Sequence, residues 1–180
     1  MQVTPLDAEG LLLIELEIYR DSRGFFVERY NRKRFRAHGL EFDFVQDNHS
    51  RSAPGVLRGL HYQYDPPQGK LVGVTRGAVW DVAVDIRPDS KTFKQSFVIE
   101  LSDANGRLLW IPEGFAHGFC VLGDEPADVL YKVTAPYNPK REKGIFWADK
   151  DLAIEWPIKN PIVSERDMQL PSFNEYCKGE

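Results

Sequence analysis

The chain has 180 residues, with 23 Lys and Arg against 27 Asp and Glu and a formal net charge of −4. That length suits one domain, which buries roughly 70% of the surface its unfolded form exposes without needing a metal or disulfide staple. The slightly acidic balance excludes the global basic field of a general nucleic-acid binder, so any anion site must be local.

In chain order, "MQVTPLDAEG" lacks the basic and apolar regions of a secretory signal. "LLLIELEIYR" (11–20) then alternates, with Leu12, Ile14, Leu16 and Ile18 on one parity and Glu15 and Glu17 on the other, which predicts a half-buried strand. "DSRG" supplies a turn and "FFVERY" a second strand. "NRKRFRAHGL" predicts a short helix, with Asn31 as N-cap and Gly39 as stop. Its Arg32, Lys33, Arg34 and Arg36 read as a solvated face rather than a nucleic-acid patch, because no aromatic platform accompanies them. His38, near its C-terminal end, reads as a surface residue favoured by the helix dipole.

From Gly55 to about Trp147 the pattern is short strands: "GVLRGLHYQY", "KLVGVTRG", "AVWDVAVDIR", "KQSFVIEL", "GRLLWIP", "HGFCVLG" and "ADVLYKVT". Turns fall at "YDPPQG", "RPDSKT", "SDANG", "PEGF" and "GDEPA", a spacing typical of an all-β sandwich or barrel. The last stretch, interrupted by Pro157, Pro161 and Pro171, should wrap the barrel and end in a short helix. One domain over 1–180 is expected: N-terminal strands and a short helix over 1–50, a core over 51–150 and an extension over 151–180. Two cysteines, Cys120 and Cys177, are sparse usage that fits a reducing compartment. No apolar run approaches the roughly 20 residues that span a bilayer. A cytoplasmic protein with no membrane or nucleic-acid partner is expected.

Within "GVLRGLHYQYDPPQGKLVGVTRG" the ionisable Arg58, His61 and Lys70 stand among apolar residues, where they cost desolvation energy unless paired. An anionic ligand would supply the missing partner. His61 alone reads first as a satisfied core histidine, but Arg58, Lys70 and His117 in "PEGFAHGF" keep it company. Arg58 and His61 are an odd number of residues apart, so a regular strand would aim them at opposite faces. Gly59 between them is the place for a bulge. Tyr131 alternates with Val129 and Val133, which suits a core aromatic as well as a site residue. Asp167 lies three residues after Ser164 and reads as half of a capping box; pattern alone does not select it for chemistry.

The spacings resemble the two cupin motifs. Gly55, His61 and Gly77 match the first, with Gln63 in place of its second histidine and Lys70 in place of its glutamate; Gly106, Pro112, Gly114 and His117 match the second, with Val121 in place of its asparagine. Only His61 and His117 remain of the usual metal ligands. Lysine donates hydrogen bonds, keeps its charge and repels a divalent cation, so an anion, or an oxygen that becomes one, fits there instead of a metal.

With "DSRGFFVERY", "QDNHSRSAPGVLRGLHYQ", "QGKLVGVTRGAVWDVAVDIR", "LWIPEGFAHGF" and "YKVTAPYNP", the chain resembles the dTDP-4-dehydrorhamnose 3,5-epimerases through nearly its whole length. The resemblance implies a cupin-type double-stranded β-helix (jelly roll) with short helices, a homodimer, no cofactor, and conversion of dTDP-4-dehydro-6-deoxy-D-glucose (dTDP-4-keto-6-deoxyglucose) to dTDP-4-dehydro-L-rhamnose. It implies His61 as base, Asp167 as its orienting carboxylate, Tyr131 as opposing acid and Lys70 beside the C4 oxygen. Arg23, Glu28, Gln46, Asp47, Asn48, Arg58, His117, Glu142 and Arg166 fall where the family binds the nucleotide sugar, and Tyr137 where an aromatic stacks on thymine. Single-centre epimerases, ketoisomerases and a non-catalytic sugar-nucleotide-binding cupin are the alternatives.

Overall fold

The computed structural model describes residues 1–178. In chain order the first elements are β1 (Gln2–Pro5), β2 (Leu12–Glu15), β3 (Ile18–Asp21), β4 (Gly24–Val27), α1 (Arg32–Ala37) and β5 (Gln46–Ser52). There follow β6 (Leu57–Gln63), β7 (Lys70–Arg76), β8 (Ala78–Asp85), β9 (Ser96–Ser102), β10 (Arg107–Ile111), β11 (Phe115–Leu122) and β12 (Ala127–Val133). The last are β13 (Glu142–Gly144), α2 (Glu165–Met168) and α3 (Phe173–Lys178).

A six-stranded sheet, β1-β2-β10-β7-β12-β5, faces a five-stranded sheet, β13-β6-β11-β8-β9. Pairing is antiparallel throughout both. This is the expected jelly-roll sandwich. The N-terminal strands are built into it, since β2 pairs with β10 and β5 with β12. Between the sheets Val72, Val74, Leu109 and Val129 meet Val79, Leu101, Phe119 and Val121. Each such side chain contributes about 1.5–3 kcal/mol by leaving water.

Both outer faces are covered as well. On the six-stranded sheet Phe35 of α1 and Leu40 pack on Ile14, Leu71, Leu108 and Trp110, with Phe42 stacked on Trp110 at 3.8 Å. On the five-stranded sheet the C-terminal segment lays Leu152, Phe173 and Tyr176 over Leu60, Tyr62, Val82 and Val84, and the Tyr176 hydroxyl donates to the Ile86 carbonyl at 2.9 Å. Burial on two faces explains why β8, "AVWDVAVD", reads as an almost unbroken apolar run.

Asn31 caps α1 as expected, its side chain accepting from the Lys33 and Arg34 amides, and Gly39 follows at φ +76°. Of the α1 cations Arg32, Lys33 and Arg36 are exposed and Arg34 is half-buried, and Arg32 pairs with Asp43 and Arg34 with Glu28. Three features depart from the sequence reading. The run 11–20 is two strands, because after Leu16 donates to the Gly106 carbonyl the chain leaves the sheet. The second expected strand ends at Val27, and β3 and β4 form a separate hairpin that leaves Phe25 56% and Phe26 67% exposed. β5, "QDNHSRS", has no apolar parity to betray it, yet pairs with β12 over its whole length. Among the described residues no helix is long and apolar enough to cross a membrane.

Candidate active site

The two sheets enclose a cavity of about 610 Å³, lined from β5, β6, β7, β11, β12, β13, the loop bearing Tyr137, and α2 with the segment that enters it. Small-molecule sites typically have this size, about 300–1,000 Å³.

The bulge expected at Gly59 is present. β6 pairs His61 with His117 but Arg58 with Phe119, so three steps on β6 oppose two on β11. The extra residue brings Arg58 and His61 to one face, and both line the cavity. Only glycine fits: φ is +127°, and a β-carbon would lie 2.5 Å from Gly118 Cα and 2.9 Å from the His117 carbonyl oxygen. The Gly59 amide donates to Asp167 Oδ2 at 3.2 Å, and Asp167 Oδ1 accepts from His61 Nε2 at 2.7 Å.

Asp167 therefore does more than cap. Ser164 does receive the Asp167 amide, at 3.1 Å, while the Asp167 carboxylate turns inward to His61. Burial pushes that carboxyl up, but the bonds from His61 and Gly59 outweigh it and hold the group below the ordinary carboxylate range. With Nε2 held by Asp167, His61 has Nδ1 left for a ligand.

Lys70 opens β7 at the cavity floor, 9% exposed, and its ammonium donates to the His61 carbonyl at 3.3 Å. Burial lowers its pKa to about 8, against the pull of Glu142 and Asp81. Tyr131 stands on β12, in the sheet opposite His61. Burial first, then Glu142, raises its pKa and keeps it a phenol. His117 on β11 gives Nε2 to Asp81, 3.0 Å from each carboxylate oxygen.

At the rim, Arg166 pairs with Glu142, whose carboxylate also accepts from the Tyr137 hydroxyl at 3.2 Å. The Tyr137 amide donates to Gln46 Oε1 at 3.0 Å, and Gln46 Nε2 donates to Asn48 Oδ1 at 2.7 Å. Arg58 crosses to β5 through Ser52 Oγ at 2.9 Å.

The cavity thus gathers His61, Lys70, Tyr131, Asp167, Gln46, Asn48, Arg58, His117, Tyr137, Glu142 and Arg166. Three expected residues lie outside it. Arg23, at the tip of the β3–β4 hairpin, is 88% exposed and paired with Asp21. Glu28 binds Asn31 and Arg34. Asp47 has the outward parity of β5, between Gln46 and Asn48, and pairs with Lys132.

Two residues with structural parts were not singled out for them. Gln63, in the slot of a cupin ligand, donates to the Pro66 and Pro136 carbonyls and accepts from the Asn138 amide, so it anchors the loop bearing Tyr137. Asp81 shares inward parity with Val79 and Ala83, and a carboxylate on core parity was its signal. A divalent cation does not fit this donor set: among the described residues no three His, Cys, Asp or Glu side chains converge to hold one, and Lys70 brings an ammonium into the same cavity.

The model of the dTDP-4-dehydrorhamnose 3,5-epimerase family matches residues 5–175. The chain is 51% identical over 175 residues to the dTDP-4-dehydrorhamnose 3,5-epimerase of Shigella flexneri, covering 96% of each. Its fold is similar to that of the Legionella pneumophila dTDP-6-deoxy-D-glucose-3,5-epimerase solved in complex with dTDP-4-keto-L-rhamnose, with a TM-score of 0.91 and 47% identity over 96% of this chain and 93% of that one. It is also similar to a 4-keto-6-deoxy sugar epimerase of the novobiocin gene cluster of Streptomyces spheroides, with a TM-score of 0.94 and 37% identity over 99% and 90%. The chain belongs to the dTDP-4-dehydrorhamnose 3,5-epimerase family.

Proposed function

We propose that this protein epimerises dTDP-4-dehydro-6-deoxy-D-glucose at C3 and C5, giving dTDP-4-dehydro-L-rhamnose for deoxysugar synthesis. One observation carries the residue roles: His61 backed by Asp167 and the phenol of Tyr131 face one cavity from opposite sheets, with the Lys70 ammonium buried at its floor.

The hydrogens on C3 and C5 flank the C4 ketone. His61 Nδ1 takes one as a proton, and the C–H electron pair moves through the carbonyl to leave charge on the C4 oxygen. Lys70 stabilises that oxyanion, an effect worth roughly 3–4 kcal/mol where one such donor has been removed elsewhere. Asp167 stabilises the imidazolium formed. Tyr131 returns a proton to the other face of the carbon, the enolate collapses to the ketone, and solvent resets both groups. Positioned acid–base groups of this kind contribute about 10²–10⁴-fold each. Hydrogen leaves and returns as a proton, so the reaction asks for no redox cofactor.

Arg58, Arg166 and Tyr137 line the same cavity, which supports a reading in which the two guanidiniums hold the diphosphate and Tyr137 stacks on the thymine, spending binding energy on orienting the sugar. Diphosphate binding would require Arg166 to loosen its pairing with Glu142. Arg23, Glu28 and the bare aromatics of the β3–β4 hairpin lie away from their own cavity, which favours a homodimer in which the hairpin serves the other subunit. Two free cysteines, one buried and one exposed, fit a cytoplasmic setting. Incubation with dTDP-4-keto-6-deoxyglucose in D2O should place deuterium at both C3 and C5 with inversion at each. Label at one carbon would reduce the activity to a single-centre epimerase, and no label would overturn it.

A further inference from the structure

His117 and His61 are register partners on neighbouring strands, so their side chains share the cavity face. Each gives Nε2 to a buried carboxylate, but the carboxylates differ in origin: Asp167 comes from α2, Asp81 from β8 beside His117. Asp81 is 0% exposed, and both its oxygens lie 3.0 Å from His117 Nε2. A bare Nε2 lone pair facing two carboxylate oxygens would be repelled, so the proton sits on Nε2. The Lys70 ammonium, whose pKa burial lowers to about 8 while Glu142 and Asp81 pull it up, supplies a nearby counter-charge for Asp81. Nδ1 makes no hydrogen bond among the described residues, is not among the sealed unpaired atoms, and belongs to a ring that lines the cavity.

We propose that Asp81 is a positioning residue: by accepting the His117 Nε2–H it leaves Nδ1 as a hydrogen-bond acceptor, which takes a hydroxyl of the sugar ring beside the reacting carbons. Lys70, Arg58 and Arg166 only donate and so suit phosphate and enolate oxygens, whereas an acceptor beside the base selects a hydroxyl. This deepens the epimerase reading and rests on it for the identity of the sugar.

The test labels the full chain with ¹⁵N-histidine; with four histidines in the sequence, His117→Gln identifies the His117 signals by their loss. The wild type should carry its proton on Nε2 with Nδ1 bare, and a proton on Nδ1, alone or with Nε2, overturns the proposal. Asp81→Asn, whose amide also donates, should admit the Nδ1–H form and raise KM roughly tenfold while kcat changes less than about threefold, the loss of one neutral hydrogen bond. An unchanged spectrum and KM overturn it. Affinity for dTDP alone should be the same in wild type and His117→Gln; a matching loss there would assign His117 to the diphosphate and overturn it too. If Asp81→Asn does not fold, the wild-type spectrum and the dTDP comparison still decide. Neither needs turnover, so an inactive wild type would sink the epimerase reading while the spectrum still judged Asp81.

Discussion

The same inward faces of the same strands build two unlike halves of this sandwich. Along β7 the inward side runs from Lys70 to Val72 and Val74; along β12 it runs from Tyr131 to Val129, and on β11 His117 stands between Phe115 and Phe119, with Val121 beyond. One half is a sealed apolar core held by loss of water, and the other an open cavity whose polar groups are held by paired carboxylates. The fold's stability resides in the first half, and desolvation cost is concentrated in the second. Stability and activity should therefore respond separately to substitutions a few residues apart.

The largest expected effect is at the polar end. His61→Ala should lower solvent exchange by on the order of 10³-fold or more while the protein stays folded, measured by NMR in D2O. Normal exchange in that variant would remove His61 as base. Lys70→Met sharpens the contrast, since it exchanges a buried cation for an apolar chain of similar length. It should lower kcat by on the order of 10²–10³ yet leave thermal stability unchanged or raised. A fall of several degrees in Tm would contradict the division between the halves.

Leu109→Ala, in the apolar half, should do the reverse. A loss of about 2–5 kcal/mol in chemical denaturation is expected from the cavity it leaves, with kcat of the folded enzyme nearly unchanged. The smallest effect is in pH dependence. The folded pKa of Lys70, about 8, lies below the ordinary lysine value of 10.5, so between those pH values the unfolded chain binds the proton that the folded chain has released. Stability should therefore gain from this group as pH rises through that window, and Lys70→Met should lose that gain. Activity should fall above pH about 8 as the ammonium is lost. Glu142 pulls the Lys70 pKa up, so Glu142→Gln should move that fall to lower pH, seen in the pH profile of kcat.

The apolar half was the more legible in the sequence, because burial imposes a period on strands and glycine and proline mark their turns. The bend at Gly59 was readable too, from the odd spacing of Arg58 and His61. Pattern alone could not select Asp167, whose place beside His61 depends on a contact 106 residues apart in the chain. β5 was hidden because one of its faces meets the cavity and the other carries Asp47, His49 and Arg51, so neither is apolar. Motif resemblance placed Arg23, Glu28 and Asp47 with the ligand but says nothing about which side of a strand, or which copy of the chain, presents them. Asp81 was overlooked because a lone carboxylate in an apolar run has no partner until the strands are paired.

In the proposed reaction the two sheets divide the proton transfers, His61 removing and Tyr131 replacing. Tyr131→Phe, incubated in D2O with dTDP-4-keto-6-deoxyglucose and followed by position and stereochemistry, tests it most directly. Deuterium should still enter beside the ketone through His61 while inversion is largely lost. Inversion at the wild-type rate would contradict it.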